Sequence, residues 1–157
     1  MSWTTADLTA LMRDAVAFGV EHVERGGIPF VGVVVGEDGY VSPFGVNRVH
    51  ETGDPTAHAE IVAIRDAMRD RETTDLTGYS LLATGEPCGI CYRFALEHRI
   101  GRIYVAVFAE EVARFGFDYR TSYRAAQIDR SGLVGSTVIP LTVPDGQAPF
   151  HRFLSLH

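Results

Sequence analysis

Apolar residues recur at three- and four-residue intervals through Leu8, Leu11, Met12, Ala15 and Phe18. That period predicts an amphipathic helix over 5–25, halted by Gly26-Gly27. The next apolar stretch, 30–35, is β-branched and carries a glycine, which suits a buried strand. Glu37-Asp38-Gly39 predicts a hairpin turn into a second strand over 40–46. Asp54-Pro55 marks a helix start, with Asp at the cap and Pro at the first position. Ala57, Ile61, Ile64 and Met68 form its apolar stripe, while Arg65, Asp66, Arg69 and Asp70 face water.

Beyond Gly78 a strand is expected over 79–83, then a helix opened by Glu86-Pro87 and running to about residue 98. Gly101 precedes a strand over 102–108, and a short helix follows from Glu110. The stretch 118–126 has no clear period; 134–143 contains a strand, and 149–157 forms a terminal helix. The order α-β-β-α-β-α-β with a tail implies an α/β fold, a mixed sheet flanked by helices. No repeat or linker interrupts it, so a single domain over 1–157 is expected.

Composition narrows the classes. Hydrophobic residues make up 46% and charged residues 22%, ordinary values that argue against disorder. The first residues lack a basic region before an apolar run, so no signal peptide is expected. The longest apolar run, 28–36, is too short to span a bilayer. No membrane partner and a cytoplasmic location are the expectations, and two cysteines provide no disulfide framework. Net charge is −6, lysine is absent, and all 14 basic residues are arginine. Phosphate backbones require clustered Lys and Arg, so a small-molecule substrate is favoured over a polynucleotide. Lacking lysine, the chain has no lysine amine for Schiff-base chemistry.

Two segments carry candidate chemistry: Thr56-Ala57-His58-Ala59-Glu60 and Glu86-Pro87-Cys88-Gly89-Ile90-Cys91. His58, Cys88 and Cys91 supply three ligands of the kind zinc prefers and leave a fourth tetrahedral position open. A C-x-x-C run also fits a redox pair or half of a structural zinc site. A redox pair leaves His58 and Glu60 unexplained. A structural site needs a fourth ligand, and none of His22, His50, His98, His151 or His157 stands at zinc-finger spacing. Catalytic zinc is the favoured reading.

Two thiolates and a neutral imidazole cancel the charge of Zn²⁺. A bound water is then acidified less than in three-histidine sites, where its pKa is about 7. A separate base is required, and Glu60 is placed for it; its bland role is a first-turn carboxylate answering the helix dipole. His58 and Glu60, two apart, share no lateral helix face and converge only beyond a helix tip, whereas Cys88 and Cys91, three apart, share one. The chemistry that follows is hydrolysis of a ring C–NH₂, with Glu60 moving protons and the Cys88 backbone N–H a candidate oxyanion donor.

The order H-x-E…P-C-x-x-C resembles the zinc deaminase signature. On these residues the chain is identified as a member of the cytidine deaminase superfamily; Pro29-Phe30, Asn47 in Gly45-Val46-Asn47-Arg48, and Gly116-Phe117-Asp118 resemble its nucleobase branch, most like bacterial guanine deaminases. The similarity runs over about 27–150 and is densest at 54–61 and 86–91. The resemblance implies a three-layer α-β-α sandwich with a mixed five-stranded sheet, a zinc cofactor and a homodimer. It also implies that Pro149-Phe150-His151-Arg152-Phe153 covers a partner's active site. Substrate-binding roles are implied for Phe30 by stacking, for Asn47 and Asp118 by hydrogen bonds, and for Ala57. Read without the family, Phe30 is core, Asn47 a turn residue and Asp118 a cap.

The chain departs from the family at Gly85, at Gly89-Ile90, and at Tyr92-Arg93-Phe94, where small residues are usual. Bulk there is expected to reshape the pocket. Arg93 reads as an exposed helix arginine or as a contact for an anionic group. The expected activity is zinc-dependent hydrolytic deamination of a heterocyclic amine, guanine before others. Alternatives are cytosine, another aminopyrimidine, a pterin, a triazine or a nucleoside; behind these stand tRNA adenosine deamination and a catalytically idle zinc-fold binding module.

Overall fold

The computed structural model describes residues 3–157. Helix α1 (Thr5–Glu24) begins where Thr4 and Asp7 exchange hydrogen bonds in a capping box. Its buried stripe is Leu8, Met12, Ala15, Val16, Gly19 and Val23, with Leu11 and Phe18 half-buried at the margin. Strand β1 (Val31–Gly36) is buried throughout. The expected strand over 40–46 shrinks to β2 (Gly45–Val46) and a single bridge between Val35 and Val41. Ser42 turns its hydroxyl onto the Val34 amide, and Pro43 has no amide with which to continue the ladder.

The remaining elements are α2 (Val49–Thr52), α3 (Ala59–Arg71), β3 (Tyr79–Gly85), α4 (Gly89–Glu97), β4 (Arg102–Val107), α5 (Ala109–Ala113), α6 (Thr121–Ala125), α7 (Arg130–Leu133), β5 (Val138–Pro140) and α8 (Ala148–Leu156). The sheet order is β2-β1-β3-β4-β5. Strand β1 is antiparallel to β2 and β3, whereas β3, β4 and β5 run parallel.

Strand alternation divides the core between two faces. Val33, Val35, Leu82, Tyr104 and Ala106 pack with Leu8, Met12 and Val16 of α1 and Phe150 of α8. Val34, Leu81, Ile103 and Val105 pack with Ala63, Ile64 and Ala67 of α3 and with Tyr92 and Ala95 of α4. The result is a three-layer α-β-α sandwich on a mixed five-stranded sheet. Among the described residues no helix is long and apolar enough to cross a membrane.

Two details set the position of the site. Both Pro-led helices start later than expected. Asp54 accepts hydrogen bonds from the Thr56 amide and hydroxyl and pairs with Arg65, closing a turn in place of capping a helix. Helix α3 therefore starts after His58 and α4 after Cys88. Gly32 and Gly45, register partners on β1 and β2, form a trough beneath α3. A Cβ on Gly45 would stand 2.3 Å from the Ala59 oxygen, and one on Gly32 3.0 Å from Glu60 Cα. Two bare glycines let the first turn of α3 settle onto the sheet.

Candidate active site

His58 and Cys88 occupy equivalent places, each the cap residue of a helix in extended conformation, ψ 158° and 179°. Neither side chain makes a capping hydrogen bond, so both reach past the helix ends. His58 Nδ1 lies 3.4 Å from Cys88 Sγ and 3.4 Å from Cys91 Sγ, and the two sulfurs are 3.5 Å apart. Zinc bonds of about 2.3 Å to sulfur and about 2.0–2.1 Å to nitrogen, at tetrahedral angles, require donor separations of roughly 3.5–3.8 Å. The triangle has nearly that size and the donor set zinc prefers, so these residues fit the ion. The hydrogen bond between the two sulfurs, joined by His58, holds the Cys88 thiol down to about 4, while the same bond and burial push Cys91 up. His58 is raised, first by its bond to Cys88.

Glu60 is the second residue of α3 and only 4% exposed. Burial, and then the charge of Cys88, raise its carboxyl to about 7. It lines a cavity of about 220 Å³ whose other polar groups are Asn47, His58 and Cys88. The walls are Ile28, Phe30, Phe117 and Tyr119, with Ala59 beside them. Larger grooves beside Trp3 and along α1 lack this donor cluster.

Phe30 serves both wall and core. Its ring meets Phe117 edge-on at 5.3 Å and Phe150 at 5.4 Å. The departure at Gly85 makes room for these rings: a Cβ there would stand 2.8 Å from Phe30 and 3.1 Å from Phe150. Asn47 likewise combines two readings, since it lines the cavity while its Oδ1 accepts the Val49 amide in a turn. Ala57 is buried beside His58 but forms no part of the wall, where Ala59 stands.

Asp118 is not brought to the cavity. Its exposed carboxylate is gripped by Arg120 through Nε at 2.9 Å and Nη2 at 2.8 Å, which holds it down to about 2. The flanking Phe117 and Tyr119 enter the wall instead. Along 117–119 the exposed carboxylate stands between two half-buried aromatics. That alternation was the sequence signal for Phe117 and Tyr119, which the Gly-Phe-Asp resemblance obscured; Ile28 had none.

The bulky Tyr92-Arg93-Phe94 run does not reshape the cavity. Tyr92 turns its hydroxyl to Glu86. Arg93 donates to the Ala126 and Gln127 carbonyls behind α6, and Phe94 packs under Arg65. Within segment 149–153, Phe150 is fully buried and Phe153 meets Phe117 at 5.0 Å.

Residues 5–107 match the family described as the cytidine and deoxycytidylate deaminase zinc-binding region. The guanine deaminase of Bacillus subtilis is 34% identical over 120 residues, 76% of this chain and 75% of that protein. Its solved structure superposes with a TM-score of 0.67 at 30% identity, covering 92% of this chain and 91% of that one. A tRNA(Ile)-lysidine synthase of Deinococcus radiodurans is 41% identical over 96 residues, 61% of this chain and only 16% of its own length. A tRNA-specific adenosine deaminase of Aquifex aeolicus is 39% identical over 80 residues, 51% of this chain and 52% of that protein. The chain thus spans about a sixth of the first of these two proteins and about half of the second.

Proposed function

The chain belongs to the cytidine and deoxycytidylate deaminase family, and we propose that it is a zinc-dependent deaminase whose substrate is a free heterocyclic base, guanine before others. The cavity carries this reading. Its volume of about 220 Å³ falls below the roughly 300–1,000 Å³ of sites for drug-sized ligands, which suits a bare ring system. Its aromatic walls offer stacking surface, and Asn47, His58, Glu60 and Cys88 add polar groups to them. Likeness to a guanine deaminase over three quarters of both chains supports the choice of base.

His58, Cys88 and Cys91 are taken as the zinc ligands; zinc, when bound, supplies Lewis acidity and a more acidic water. Glu60 accepts the proton of the attacking water and delivers it to the ring nitrogen beside the C–NH₂ carbon. It then takes the remaining hydroxyl proton from the tetrahedral carbon and passes it to the departing amine, so that the C–N bond breaks, a C=O remains and ammonia leaves. The Cys88 N–H, which donates to no acceptor among the described residues, is assigned as the second donor to the new oxygen. Phe30 and Asn47 are taken as base contacts, 1–157 as one domain, and the protein as a cytoplasmic homodimer.

Ammonia release measured across guanine, adenine, cytosine, pterins, triazines and nucleosides tests the reading. Guanine is expected to turn over with the highest kcat/KM, and a clear preference for cytosine or a nucleoside defeats it. The 39% identity to a tRNA-specific adenosine deaminase supports a second reading, deamination of adenosine in tRNA. A net charge of −6 without lysine weighs against it. Tight, salt-sensitive tRNA binding in a gel shift would reverse the order.

A further inference from the structure

The short loop that delivers Cys88 has its polar groups taken up one by one by the stretch 107–130. The Glu86 amide donates to the Val107 oxygen at 2.8 Å. Tyr119 Oη donates to the Glu86 oxygen at 2.6 Å, and Tyr123 Oη to the Pro87 oxygen at 2.8 Å. The Gly89 amide donates to Ser122 Oγ at 2.9 Å. Beneath the loop, the Glu86 side chain is fully buried. Its carboxylate accepts four hydrogen bonds: Tyr92 Oη at 2.8 Å, the Ala109 amide at 2.9 Å, and Arg130 Nε and Nη2 at 2.9 and 2.6 Å. Arg130 rests over the Tyr123 ring at 4.7 Å, and its outer edge meets the exposed Glu110.

The backbone contacts hold Glu86, Pro87 and Gly89, the residues on either side of Cys88, and so fix the segment on which its sulfur hangs. A buried carboxylate stripped of its cation is left with uncompensated charge, and the loop bearing it must shift or take in water. Changes to groups that orient a metal ligand from behind typically lower metal affinity about 10–100-fold.

We propose that Arg130 is a positioning residue for the metal centre: its two-pronged pairing with Glu86 fixes the loop that presents Cys88, and so sets how tightly the site holds zinc. The proposal rests on Cys88 being a zinc ligand.

The test uses the zinc-loaded protein. Zinc affinity is measured by competition with a chromophoric chelator, and melting temperature with and without zinc. Arg130→Met is expected to weaken zinc binding about tenfold or more and to shrink the rise in melting temperature that zinc produces. Arg130→Lys, which keeps the charge without the fork, is expected to fall between. Glu110→Gln touches only the exposed half of the network and is expected to leave zinc affinity unchanged. Tyr119→Phe removes one hydroxyl and is expected to weaken zinc about three- to tenfold. An Arg130→Met protein with parental zinc affinity, melting lower by the same amount with and without zinc, overturns the proposal. If that variant does not fold, parental zinc affinity in Arg130→Lys, which loses the fork, overturns it. Cys88→Ala checks the ligand separately: parental zinc affinity there removes the assignment on which the proposal rests, whatever Arg130 does.

Discussion

Replacing Glu60 by glutamine keeps the shape of the side chain and removes its charge, and the two effects separate by assay. Glu60 is 4% exposed, and burial followed by the charge of Cys88 raises its carboxyl from 4.5 to about 7. At roughly 1.4 kcal/mol per pH unit, keeping that carboxylate ionised in the zinc-stripped fold costs about 3 kcal/mol. Because the folded pKa lies above the unfolded one, the folded protein binds the extra proton between about pH 4.5 and 7. Stability is full below that window, falls as pH rises through it, and stays low above it. The variant escapes this loss. Zinc-stripped Glu60→Gln is therefore expected to melt about 6–12 °C above the parent at pH 8, at about 2–4 °C per kcal/mol, and to match it near pH 4.5. Activity moves the other way: the zinc-loaded variant is expected to keep its metal and lose about 10²–10⁴-fold in kcat. Thermal scans at the two pH values and ammonia release on the same preparations decide the matter. Equal melting at pH 8 refutes the burial argument, and normal turnover refutes the proton-carrying role.

Three further substitutions probe the walls and floor of the site. Gly45→Ala places a methyl 2.3 Å from the Ala59 oxygen and is expected to lift α3 from the sheet. Urea unfolding should show a loss of about 1–3 kcal/mol or more, with activity falling as Glu60 moves. Asn47→Ala is expected to raise KM for the base about tenfold with a smaller change in kcat, as expected for one lost hydrogen bond to substrate. Asp118→Ala removes an exposed carboxylate already held by Arg120 and is expected to leave KM and melting temperature unchanged; a large rise in KM would return Asp118 to the pocket.

Helix α1 was legible because nothing competes with its apolar period, and β1 because its valines have one plausible fate. The hairpin was overdrawn because Pro43 outweighs the turn signal before it. Helix starts were misread at Asp54 and at Pro87 for a shared reason. A Pro after an acidic residue marks a turn as readily as a first helical turn, and here the turns place His58 and Cys88 at the caps. The metal triangle was readable because its residue types are rare and their spacing specific. The cavity walls were not: Tyr119 and Phe117 come to the cavity through the fold, and Asp118 turns outward through a local bond to Arg120. The pairing of Glu86 with Arg130 spans 44 positions and leaves no local trace.

Elemental analysis and X-ray absorption on purified, active protein test the zinc centre most directly. One zinc per chain is predicted, bound by two sulfurs at about 2.3 Å with the remaining donors nitrogen or oxygen at about 2.0–2.1 Å, and lost in Cys88→Ala. Full activity in protein that holds no transition metal, or a zinc shell without two sulfurs, would contradict the account.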